Sequence, residues 1–136
     1  MKKIIFLLLL SLISYGIKWI ETATGYDPND SKYGYAGILG RHIYAIQISN
    51  HRFWVHILGK GWGSKIRAGG IGGDYANPID GIAISGAEYR AYDDHWFPAV
   101  TGYNINDNSN GYAGNLGTPI TAFMVRGSKY SAAIFE

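Results

Sequence analysis

One segment of this chain is written three times, and few folds can accept that. Under a constant shift of 77, "WIETATGYDPNDSKYGYAGILGRHIYAIQI" (Trp19–Ile48) and "WFPAVTGYNINDNSNGYAGNLGTPITAFMV" (Trp96–Val125) agree at 14 of 30 positions without a gap. The shared residues are Trp, Thr-Gly-Tyr, Asn-Asp, Gly-Tyr-Ala-Gly, Leu-x-Gly, Ile and Ala. A middle copy, "WGSKIRAGGIGGDYANPIDGIAI" (Trp62–Ile84), keeps the Trp and a closing Ile-x-Gly-Ile-x-Ile, and its Tyr75-Ala76 reads as the Tyr-Ala of the other two. It is seven residues shorter in the connecting loop. The loop is thus the variable part, and its flanks are the scaffold.

A second element completes each unit. Phe53, Tyr89 and Tyr130 each follow the end of a copy by five residues, in the β-prone segments "RFWVHI", "EYRAY" and "KYSAAIF". The segments are short and bounded by Gly, Asn, Asp and Pro, and none has a helical period. The first two lead into the next Trp. The third stands at the C-terminus, and Trp19 has no such strand before it, so the spacing predicts that Tyr130–Phe135 lies beside the strand starting at Trp19. Closing the ring in this way removes exposed sheet edges. The expected fold is all-β, a closed pseudo-threefold domain of three repeats (about 19–57, 62–92 and 96–135) with three or four strands each. It is expected to be β-prism-like, with a β-trefoil as the alternative.

Residues 1–16 read as a secretory signal peptide. Lys2 and Lys3 open it, Ile4 to Ile13 form an apolar core, and Ser14-Tyr15-Gly16 is a small-x-small cleavage site. The apolar run is too short to span a bilayer. The expected mature chain, 17–136, is a single domain that is secreted. Of twelve Lys and Arg, two lie in the signal, leaving ten against ten Asp and Glu and a net charge of zero. No basic stripe survives, which excludes nucleic acid as the expected partner, and nothing asks for a membrane. There are no cysteines, so neither a disulfide scaffold nor a thiolate metal site is available.

The repeated Trp19, Trp62 and Trp96 read in two ways: as core aromatics around the symmetry axis, or as flat platforms on which sugar rings stack. Trp54 is not repeated and is free for a surface role. The loops "TGYDPND" (Thr24–Asp30) and "TGYNIND" (Thr101–Asp107) each set a tyrosine beside amides and carboxylates. Tyr26, Asp27, Asn29 and Asp30, with Tyr103, Asn104, Asn106 and Asp107, are therefore candidate ligand contacts, as are Trp54 and Trp96. The competing reading of the Asp and Asn residues is Asx-type turns bonded to their own backbone. With the middle loop shortened, two sites are expected rather than three.

These arcs hold too few carboxylates, and no bidentate Glu, for tight calcium binding, so no metal or other cofactor is expected. The "GYAG" glycines precede strands rather than a helix, which favours positive φ or close backbone approach over a phosphate cradle. His42, His51, His56 and His95 share no repeat position. Asp93, Asp94 and His95 cluster before Trp96, yet such a turn usually carries solvated charge and no nucleophile or paired Glu recurs nearby, so catalysis is not expected.

In the stretches Phe53–Ile84 and Trp96–Ile120, the motifs "NPIDGIAI", "TGYNIND" and "NGYAG" resemble those of the repeat modules found C-terminal to clostridial cell-wall lysozymes and amidases. They are more distantly similar to the clostridial hydrophobic-W repeats. The resemblance covers essentially the whole mature chain and implies an accessory module that holds on to cell-wall or surface glycan. In that family a catalytic domain accompanies the module; here none is expected before it. Three functions follow as expectations. The first is a secreted, lectin-like module binding polysaccharide or glycoconjugate multivalently. The others are a protein- or membrane-interacting, toxin-like protein, and a small cell-wall hydrolase centred on Asp93–His95.

Overall fold

The computed structural model describes residues 16–135. The expected signal peptide lies, apart from Gly16, outside the described residues. The architecture is all-β, with ten strands among the described residues: β1 (Ile17–Trp19), β2 (Ala36–Gly37), β3 (Ile43–Ile48), β4 (Phe53–Ile57), β5 (Gly61–Trp62), β6 (Ile71–Gly72), β7 (Ile79–Ile84), β8 (Tyr89–Tyr92), β9 (Ala122–Val125) and β10 (Tyr130–Phe135).

Strands this short cannot satisfy their own backbone groups, and the repeats solve this by sharing. The first sheet has the order β1-β10-β3-β6, the second β2-β9-β8, the third β5-β4-β7. Single bridges extend the last two: Tyr92 to Trp96 beyond β8, and Ile82 to Ala113 beyond β7. Each sheet therefore receives chain from all three copies. No sheet closes on itself. The C-terminal strand does lie beside Trp19, as Ile17 pairs with Phe135 and Trp19 with Ala133. However, that first strand ends at Trp19 rather than starting there.

Pairing also corrects the register of the middle copy. Ala36 faces Phe123, Gly72 faces Ile46 and Ala113 faces Ile82, three equivalent positions. Hence Ile71-Gly72-Gly73 stands where Tyr35-Ala36-Gly37 and Tyr112-Ala113-Gly114 stand. Tyr75-Ala76 falls four residues further on. The glycines of this motif explain the match: Gly37, Gly73 and Gly114 have φ of 121°, 115° and 118°. A side chain is strained in that region, so glycine is kept while the tyrosine before it is not.

The core is built from the aromatics that follow each copy. Phe53, Tyr89 and Tyr130 are fully or almost fully buried, among the isoleucines of β3 and β7 and Phe123 of β9. Each bonds through its backbone to the start of a loop: Phe53 with Ile66, Tyr89 with Val100, Tyr130 with Ala23. In the two long-loop copies the phenol adds a second tie. The Tyr130 hydroxyl donates to the Gly25 carbonyl at 2.7 Å, with the Gly34 carbonyl at 3.0 Å. The Tyr89 hydroxyl does the same with Gly102 at 2.8 Å and Gly111 at 3.2 Å. Burial pushes the Tyr89 phenol up to about 12 and raises that of Tyr130 as well, so both serve as neutral donors. Where the loop is short there are no such carbonyls, and the residue is Phe53.

The repeated tryptophans are not core. Trp19 is 36% exposed and Trp62 and Trp96 are half-buried, which removes the reading of them as axis residues. Instead each meets an aromatic ring of the next copy edge-on: Trp62 meets Tyr112 and Trp96 meets Tyr35, both at 5.3 Å between centroids. Trp19 meets Tyr75 at 6.4 Å, the shifted tyrosine replacing the ring absent at Ile71. These contacts clasp neighbouring copies from outside.

Two outcomes are expected. Tyr130→Phe and Tyr89→Phe should each lower stability to urea by about 1–2 kcal/mol, because buried loop carbonyls lose their donor. Truncation after Ser128 should abolish the cooperative thermal transition, since β10 lies between β1 and β3 and both would lose their partner.

Candidate functional site

The two long loops share one internal geometry. In the third copy Asn104 Oδ1 accepts the Asn106 N–H at 2.9 Å, and Asp107 Oδ1 accepts the Ser109 N–H at 3.0 Å and the Ser109 hydroxyl at 2.7 Å. In the first copy Asp27 accepts the Asn29 N–H at 2.9 Å, and Asp30 those of Lys32 and Tyr33 at 3.0 and 3.1 Å. One side-chain oxygen of each of these four residues is thus spent on the loop, as Asx turns require. The loop then folds tightly onto its base. A Cβ on Gly111 would come within 2.0 Å of the Asn104 carbonyl, so only glycine fits there.

The surroundings of the two loops differ. Along β4, Phe53 and Val55 point inward and Trp54 and His56 outward. Trp54 lies 6.3 Å from Tyr103, nearly edge-on at 70°, and 6.4 Å from Trp62. Lys65, from the short middle loop, places its Nζ 5.8 Å from the Trp54 ring. Trp54, Lys65, Tyr103, Asn104, Ile105 and Asn106 line a cleft of about 350 Å³. The Trp54 indole nitrogen and the Tyr103 hydroxyl are buried without a hydrogen-bond partner in the protein. Burial raises the Tyr103 phenol, against the opposing charge of Arg52. All three copies meet here: a strand of the first, the short loop of the second and the long loop of the third.

The equivalent region of the first copy is occupied from within. The Arg126 guanidinium sits 4.4 Å over the Tyr26 ring and is held by Glu88 at 3.1 and 3.2 Å. Burial first, and then the Glu88 carboxylate, push the Tyr26 phenol up to about 12. Ser85 and Arg52 hold the corresponding positions near Tyr103, so no such ion pair forms over that ring. At the position of Trp54 the other copies carry Arg90 and Ser131. The two loops expected as twin sites are therefore unequal.

The candidates thus divide. Trp54, Tyr103, Asn104 and Asn106 converge on one cleft, while Asp107 braces its loop. Tyr26, Asp27, Asn29 and Asp30 lie on the other loop. Trp96 does not join the cleft; its ring meets Tyr35, Tyr92 at 5.2 Å and the Arg90 guanidinium at 5.8 Å. Asp93, Asp94 and His95 form an exposed-side cluster in the turn before Trp96, with His95 Nδ1 bonded to Asp94. They do not line the cleft.

Two contributors escaped the sequence. Lys65 lies in the loop expected to carry no site, and only the fold brings it to Trp54. Asp80 is fully buried, with His56 Nδ1 at 2.5 Å from one oxygen and the Gly117 N–H donating to the other at 2.8 Å. The His56 ring in turn meets Trp62 at 5.1 Å, which steadies the ring behind Trp54. A lone Asp in "PIDGIAI" carries no signal of this.

No family model, curated protein or solved structure matches the chain.

Asp80→Ala should destabilise the domain by about 3 kcal/mol in denaturant titration, because it strands His56 and the Gly117 N–H. Near-ultraviolet dichroism of the Trp54–Trp62 pair should weaken with it.

Proposed function

We propose that this protein is a secreted, non-catalytic carbohydrate-binding module that recognises cell-wall or cell-surface glycan through the Trp54–Tyr103 cleft. The observation that carries this reading is the meeting of two aromatic rings, two loop amides and a lysine around one open cleft. A sugar offers C–H groups on one face and hydroxyls around its edge. Aromatic rings suit the first, and planar amides beside them suit the second.

The resemblance to modules of clostridial cell-wall lysozymes and amidases supports the same substrate class. So does a prism-like, pseudo-threefold body closed by β10, the arrangement in which we place the three sheets. Three separate open sheets fit a prism better than the barrel of a trefoil. In this reading the Tyr26 face, occupied by Arg126, contributes little, and one principal site replaces the expected pair. Binding to a polymer then gains from many modules on one surface rather than from two sites on one module.

Co-sedimentation with insoluble peptidoglycan and chitin tests the proposal. Trp54→Ala should weaken retention about tenfold, roughly 1.4 kcal/mol for a lost stacking platform. Tyr103→Ala should act in the same direction, and Tyr26→Ala should leave retention unchanged. Unchanged retention of Trp54→Ala on every polymer that the wild type binds would reject this cleft.

A further inference from the structure

We infer that the cleft selects an acidic saccharide, one that carries a carboxylate beside the stacked ring. This rests on the reading of the cleft as a glycan site and goes on to the charge of its ligand.

The argument lies in which ends of the polar groups are free. Asn104 has its Oδ1 engaged by the Asn106 N–H, so the part of its side chain left for a ligand is the NH₂ group, a donor. In the first copy the same position is Asp27, whose remaining oxygen could only accept. Lys65 adds a flexible ammonium, anchored along the Trp54 ring face. It is the one charged residue among those lining the cleft, and no carboxylate faces it there. Asp107, the nearest acid in the loop, turns one oxygen to Ser109 and Asn110 and does not line the cleft. Arg52 adds a second positive charge near Tyr103. The polar wall therefore sets Lys65 and the Asn104 donor above an aromatic surface, beside the Asn106 amide, which can both give and accept.

A neutral sugar, whose hydroxyls both give and accept, would leave the charge of Lys65 without a counterpart. A carboxylate on the sugar edge would accept from Lys65 and the Asn104 amide together, a charge-assisted arrangement stronger than neutral pairs. The contrast with the first loop makes the same point. There Asp27 stands in place of Asn104 and turns a donor into an acceptor, and the positive charge of Arg126 is already neutralised by Glu88. Only one of the two loops is poised for an anion.

The test uses matched pairs of soluble sugars that differ in one carboxylate: N-acetylmuramic acid against N-acetylglucosamine, and glucuronate against glucose. Each is titrated into the isotope-labelled protein and followed by amide chemical shifts. The wild type should bind the acid of at least one pair about tenfold more tightly than its neutral partner, with the preference fading as salt is added. Lys65→Met, which keeps the aliphatic stem over Trp54, should remove that preference by weakening the acid's binding far more than the neutral sugar's. Equal affinity within both pairs overturns the inference, as does a preference that survives Lys65→Met. Absence of binding to all four sugars overturns it too. The glycan reading is judged separately by retention of Trp54→Ala on polymer. A neutral sugar that binds in a Trp54-dependent way leaves that reading standing while the charge inference falls.

Discussion

The structure depends on backbone hydrogen bonding between copies. Several strands here are only two or three residues long, and no copy contains a sheet of its own. Backbone groups must find partners once buried, so each copy sends strands outward into the sheets of the others. The aromatic core and the outer Trp–Tyr clasps are arranged around that exchange. Phe53, Tyr89 and Tyr130 seal the inside of the three hairpins, while Trp62–Tyr112 and Trp96–Tyr35 bind neighbouring copies from outside.

On this regular frame, chemistry arises where the copies differ. Tyr89 and Tyr130 carry hydroxyls because long loops give them carbonyls to bind; Phe53 does not because its loop is short. The short loop brings Lys65 toward Trp54, and the long loop opposite supplies Tyr103 and Asn104. Elsewhere the corresponding ring is covered by Arg126. In a scaffold of three related copies, a few side-chain changes are enough to leave one cleft open and cover the corresponding ring of another.

Much of the fold was legible in the sequence, because strand length, turn residues and a repeated glycine pattern are local signals. The pairing of Tyr130–Phe135 with the first strand followed from counting strands alone. The register of the middle copy is hidden in the sequence because Tyr75-Ala76 imitates the repeated dipeptide four residues away, whereas the constraint is the positive φ of Gly73. The sequence leaves the repeated tryptophans open between core and surface, because recurrence shows that a position matters, not which side of a sheet it faces. Trp54, Tyr103, Asn104 and Asn106 were recognised as chemistry-bearing residue types. Their convergence was not legible, since it depends on a strand and a loop from different copies lying side by side. Asp80 and Lys65 had no periodic signal at all.

The pairing of Ile17 with Phe135 joins positions more than a hundred residues apart. Such a contact cannot form until nearly all of the intervening chain has been ordered, and its loop-closure entropy rewards nothing on the way. The first strand therefore waits for the last. During that interval β3 also lacks its β10 neighbour and presents an open edge built largely of isoleucine, tyrosine and alanine. For this chain the time between making the first copy and the third is a period of exposure, and its vulnerability to aggregation is set by topology rather than by final stability.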